Sequence, residues 1–108
     1  MSSEYTFEDY RHLLDELDRR YALSREGEVF DFDQDIKPFL DKNKKLAYNI
    51  ENFNTDHRLT EKVKNTMFEE LMELLMSCHI SRFSLKLYHE KYKYINMWIN
   101  HAHKEGLI

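Results

Sequence analysis

Six histidines, one cysteine and twenty carboxylates are the residues of this 108-residue chain with the most chemistry to offer. Their spacing decides what is open to them. Asp31-Phe32-Asp33-Gln34-Asp35 opens like a calcium loop, D-x-D-x-D. Such a loop needs glycine at its sixth position for the turn and a bidentate glutamate at its twelfth. Ile36 and Lys42 stand there instead. With Phe32 and Lys37 as company for a divalent ion, the run is expected to cap a helix and face water. A di-iron carboxylate site needs Glu-x-x-His on two helices and a further Glu on two others. Asp9-x-x-His12 is the nearest approach. The residues three places before the other histidines are Asn54, Met76, Lys86, Trp98 and Asn100, and none is a ligand for iron. No metal or other cofactor is expected.

Cys78-His79 pairs a nucleophile with a base in sequence, but consecutive helical residues diverge by about 100°. On a continuous helix the two would not meet, and Cys78 would act as a small apolar core residue. His101 and His103 would likewise split to opposite sides of their helix. His89, Lys93, Asn96, Asn100 and His103 make one wet stripe. No Gly-rich phosphate loop and no Gly-x-Ser-x-Gly is present. Bases and rings alternate in Lys86-Leu87-Tyr88 and Lys91-Tyr92-Lys93-Tyr94, a pattern able to stack single-stranded nucleic acid. Tyr88 and Tyr92 fall on the apolar stripe, leaving Tyr94 to stack. With a formal charge of −4, nucleic acid is the alternative partner rather than the expected one. The chain reads as a non-enzyme.

The elements that would position these residues are helical. Glycine and proline together number three, too few for the turns of an all-β chain. The richest apolar face runs over residues 60–80: Val63, Met67, Leu71, Leu74 and Cys78 recur at helical spacing. Phe68 and Leu75 flank it on one side, and Met72, Met76 and Ile80 on the other. Glu69, Glu73 and Ser77 are expected to stay wet. Thr60 with Glu61 opens this helix. The first helix starts at Thr6 with Asp9 as its capping-box partner. Its seam is Phe7, Tyr10, Leu14, Leu17 and Tyr21, and Gly27 ends it. The last helix carries Tyr88, Tyr92, Ile95, Ile99 and Ala102, with Ser84 as cap and Gly106 as terminator. The second carries Ile36, Phe39, Leu40, Leu46, Ile50 and Phe53, with Asn43 interrupting the seam and a kink or restart expected near Asp41–Asn43.

Residues 28–41 are the hardest to place. Phe30 and Phe32 alternate with acids, as in a short extended piece, but no strand partner is in sight. An ordered connector is expected, its rings plugging one end of the molecule and Asp33 or Asp35 capping the second helix. Pro38 is compatible with a first helical turn. The charge is graded along the chain: residues 1–35 carry −7, residues 36–65 carry +3, and the remainder balances. Complementary solvated faces within one molecule account for that. Short links between the helices favour antiparallel neighbours. The expected fold is therefore all-α, an up-down-up-down antiparallel four-helix bundle forming one domain over residues 1–108.

Phe30-Asp31-Phe32, Ile36-Lys37-Pro38, Leu46-Ala47, Phe68-Glu69-Glu70-Leu71, and His79 followed by Arg82-Phe83 resemble the pattern of the YppE-like family, uncharacterised cytosolic proteins of Gram-positive bacteria. The likeness covers residues 20–99, while the first helix and the final ten residues depart from it. It implies a left-handed up-and-down four-helix bundle and brings no activity, cofactor or catalytic residue.

Function is expected to lie in protein–protein contact, with an unknown protein or a second copy as partner. The residues expected to make it are Phe30, Asp31, Phe32, Asp33, Asp35 and Lys37 of the connector, with Met72 and Met76, which widen the third helix's apolar face. No apolar run approaches a membrane span, the chain opens without a leader, and a lone Cys78 fits a reducing compartment. A cytoplasmic location is expected.

Overall fold

A computed structural model describes residues 5–108. Four long helices account for most of them: α1 (Phe7–Arg25), α2 (Lys37–Asn49), α3 (Glu61–Ser77) and α4 (Leu85–Lys104), with no strand among the described residues. The start of α1 is the expected capping box. Asp9 N–H donates to the Thr6 hydroxyl, and the Asp9 carboxylate accepts the Thr6 N–H at 2.8 Å. Its end is a Schellman turn. Gly27 takes φ +108°, which lets Glu28 N–H reach Leu23 O and Gly27 N–H reach Ser24 O. Thr60 and Ser84 cap α3 and α4 as expected, accepting from the backbone of Val63 and Leu87.

One apolar cluster joins all four helices. Leu14 and Leu17 of α1, Ala47 of α2, Met67, Leu71 and Leu74 of α3, and Ile95 and Ile99 of α4 are essentially removed from water. Polar links tie the seams. Tyr10 Oη donates to Leu46 O at 2.7 Å and accepts from Asn49, which holds α1 to α2. Arg11 donates to Asn96 at 2.6 Å, Tyr88 donates to Asp18 at 2.7 Å, and Phe7 stacks on His103, all between α1 and α4. Lys91 bridges Glu70 and Glu73 between α4 and α3.

Several expectations change on contact with the fold. Ser77, expected to be wet, is buried, because α3 stops there and its last turn is enclosed. Ile80 falls beyond the helix and is 46% exposed rather than flanking the core. Asn43 neither kinks nor restarts α2: it is buried, and its side-chain amide donates to Phe39 O, one turn back in the same unbroken helix. The irregularity lies earlier, in a π-helical turn, Phe32–Ile36, that leads straight into α2. Lys64 is a buried ammonium on α3. It donates to Glu51 O and Phe53 O at 2.8 Å each, satisfying carbonyls at the end of the 3-10 turn Ile50–Asn52, and pairs with Glu61.

Candidate functional site

The connector between α1 and α2 is ordered, as expected, but by different means. Asp31, and neither Asp33 nor Asp35, is the cap: its carboxylate accepts Gln34 N–H at 2.7 Å. Asp35 adds a second side-chain bond across the π-helical turn: its carboxylate accepts Asp31 N–H at 3.0 Å while its own N–H donates to Asp31 O. The extra residue in that turn moves the cap back along the chain. Phe30 is the anchor. Its ring meets His79 edge-on at 5.0 Å between centroids and lies under the Arg20 guanidinium at 5.4 Å. Phe32 does not plug the end of the molecule; it is 55% exposed, and Val29 is 90% exposed. Asp31, Asp33, Asp35 and Lys37 all face water.

Beneath Phe30 lies a polar chain. Glu16 accepts from Arg19 and Arg20. Arg20 sits 4.2 Å over the Phe39 ring and places Nη1 2.9 Å from His79 Nε2. His79 Nδ1 in turn lies 3.5 Å from Cys78 Sγ. The expectation that Cys78 and His79 cannot meet is thus overturned. They lie past the end of α3, at its C-cap and in the following turn, where the helical 100° step no longer applies. Their proximity does not activate the thiol. Burial pushes the Cys78 thiol up to about 12 despite the nearby Arg20 charge, so it stays protonated. Burial, and then the Arg20 charge, push His79 below the ordinary histidine value. Glu16 is held down at about 2, chiefly by Arg19. The guanidinium of Arg20 is directed at Glu16, Asp35 O and His79, so the chain braces the connector.

The two methionines part company. Met72 is half-buried against the core, whereas Met76 is 43% exposed near the His79 turn. Tyr94, the ring expected to be free for stacking, is half-buried and packs edge-on against Trp98. His101 pairs with Asp56, while His103 stacks on Phe7, so these two histidines have separate partners. Between α1 and α2 runs a cleft of about 890 Å³, floored by Leu13, Phe39 and Leu46 and edged by Asp9, Glu16, Lys42 and Lys45. Asp9 and His12 both line it. Among the described residues, no group of three His, Cys, Asp or Glu side chains is placed to hold a metal ion. No helix is long and apolar enough to cross a membrane.

Sequence reasoning missed Val29, Arg20 and Glu16. Val29 carried a legible signal, an apolar residue two positions after a helix-ending glycine, in a segment rich in acids. Arg20 carried none, since its partner His79 is 59 positions away.

The large apolar side chains left exposed among the described residues are Val29, Phe32, Tyr48, Met76, Ile80, Leu85, Leu87 and Met97. All but Tyr48 and Met97 belong to two stretches that meet at one end of the molecule, the α1–α2 connector and the α3–α4 corner. Phe30 on His79 joins those stretches directly, and Tyr21 and Arg25 in the last turns of α1 reach Phe83 O and Ser81 O of the corner.

These features define the class: a small all-helical protein among its described residues, with one end carrying exposed apolar side chains. The chain belongs to the family described as a bacterial domain of unknown function, DUF1798, whose pattern matches residues 8–103. That match takes in nearly all of the first helix, beyond the residues 20–99 of the resemblance. Comparison with curated proteins and with solved structures yields no match.

Proposed function

We propose that this protein is a non-enzymatic protein-interaction module. In this reading it is one domain, an up-down-up-down antiparallel four-helix bundle, that works in the cytoplasm and presents its connector end to a partner. The order of contacts supports the arrangement: Phe7, Arg11 and Asp18 of α1 meet His103, Asn96 and Tyr88 of α4 in reverse sequence. The buried, protonated thiol of Cys78 suits a reducing compartment. The YppE-like resemblance belongs to the same reading.

The observation that carries it is Val29 and Phe32 held in water on an ordered segment. Burying such a side chain is worth roughly 1.5–3 kcal/mol, and the segment is fixed without using either one. Exposed apolar groups on a fixed frame are what a partner's contact surface requires.

Photo-crosslinking tests this. A photoreactive residue is placed at position 32, or as control at position 97, exposed in the second half of α4, in cells of the source bacterium. The reading expects discrete adducts at position 32, absent at position 97 and competed by excess unmodified protein but not by Val29→Ser/Phe32→Ser. Identical adducts at both positions, or none at 32, overturn it.

A further inference from the structure

We infer that the partner segment received at the connector is cationic and amphipathic, lysines or arginines flanking one or two large apolar side chains. This rests on the interaction reading and adds the chemistry of the partner. Residues 26–35 contain five carboxylates, Glu26, Glu28, Asp31, Asp33 and Asp35, and no base, and all five are exposed. Elsewhere several acids take cationic partners: Glu16 with Arg19 and Arg20, Glu70 and Glu73 with Lys91, Asp56 with His101. Among the described residues none of the five connector carboxylates forms such a pair. Glu28 directly precedes Val29, and Asp31 and Asp33 bracket Phe32.

Unneutralised like charges this close repel one another, and a cationic ligand relieves that repulsion while speeding encounter. The apolar side chains between them supply the area that a charge-only contact lacks. Phe30, held by His79 and Arg20, together with the bonds from Gln34 N–H to the Asp31 carboxylate and from Asp31 N–H to the Asp35 carboxylate, fixes the segment before binding, so little ordering cost remains. The α3–α4 corner carries Arg82 and Lys86 beside its own exposed leucines. A cationic ligand is therefore confined to the connector side of this end.

The test uses the full chain and fluorescence anisotropy with three labelled peptides of equal length: an amphipathic Leu–Lys helix, its Leu–Glu counterpart, and a Ser–Lys peptide. The proteins are the wild type, Glu28→Lys/Asp33→Lys, Val29→Ser/Phe32→Ser, and Glu69→Lys/Glu90→Lys. The last changes net charge as much as the first double variant, but on α3 and α4. Thermal melts establish that all are folded. The expected result is binding of the Leu–Lys peptide alone, weakened by salt. Its Kd should rise at least about tenfold in both connector variants and stay within about twofold in the α3/α4 variant. Equal loss in the α3/α4 variant, or equal affinity for Ser–Lys, overturns the inference, since bulk charge would then suffice. Leu–Glu binding as tightly through Val29 and Phe32 overturns the cationic partner but leaves the interaction reading standing. Self-association in sedimentation that the Val29→Ser/Phe32→Ser variant abolishes makes the occupant a second copy and overturns a separate partner. No binding by any peptide, with crosslinks still formed at position 32, overturns the cationic class alone. No binding and no crosslinks overturn both.

Discussion

Nη1 of Arg20 lies 2.9 Å from Nε2 of His79. A guanidinium has no acceptor to offer, so Nε2 must be the acceptor, and the neutral ring carries its proton on Nδ1, toward Cys78 Sγ at 3.5 Å. Burial and the adjacent cation both oppose a second proton, which lowers the histidine below its usual value of about 6.5.

That depression sets a sign. The unfolded chain takes up the proton first as pH falls, so His79's contribution is full above about pH 6.5 and is lost as pH drops through the folded value. Urea unfolding at about pH 7 and about pH 5 should show wild type losing more stability than His79→Gln. Equal losses would contradict the assignment, and nitrogen NMR of the ring should report the Nδ1–H tautomer at neutral pH.

The Cys78 thiol, fully buried and raised to about 12, should resist a disulfide reagent in the native protein at mildly alkaline pH. It should react at once in denaturant. Rapid modification of the folded chain would show that the turn after α3 opens readily.

Lys64 sits where its ammonium satisfies the carbonyls of Glu51 and Phe53. Lys64→Met keeps the aliphatic stem but strands those acceptors, at a cost of about 1–3 kcal/mol. Chemical denaturation measures it. A neutral outcome would mean that water replaces the ammonium.

Phe30 and Phe32, two positions apart, should behave oppositely. Phe30→Ala removes the ring between His79 and Arg20 and should cost about 1–2 kcal/mol. Phe32→Ser removes a ring standing in water and should stay within about 0.5 kcal/mol of wild type. Thermal melts of the two variants decide. Equal destabilisation would give Phe32 a structural role.

The helix caps and seams were legible because their causes are local. Thr6 and Asp9 are three residues apart, Gly27 follows the last turn of α1, and a stripe such as Tyr10, Leu14, Leu17 and Tyr21 repeats at helical period. The connector was half-legible. Its acids announced a cap, but whether Asp31, Asp33 or Asp35 serves depends on a π-helical turn that no residue type demands. Of the interaction residues named from sequence, Phe32, the aspartates, Lys37 and Met76 do face water, whereas Phe30 and Met72 are partly consumed in packing.

The residue order alone determined four amphipathic helices and the caps at Thr6, Thr60 and Ser84, because hydrogen bonding and apolar period act over three to five positions. Tertiary structure alone decided that Arg20 would meet His79, that Lys64 would be buried over two carbonyls, and that α3 would end in time for Cys78 and His79 to touch. Those outcomes join groups 11 to 59 positions apart or depend on where a helix stops. The free energy that selects them comes from closing one shared core, which no local stretch of sequence contains.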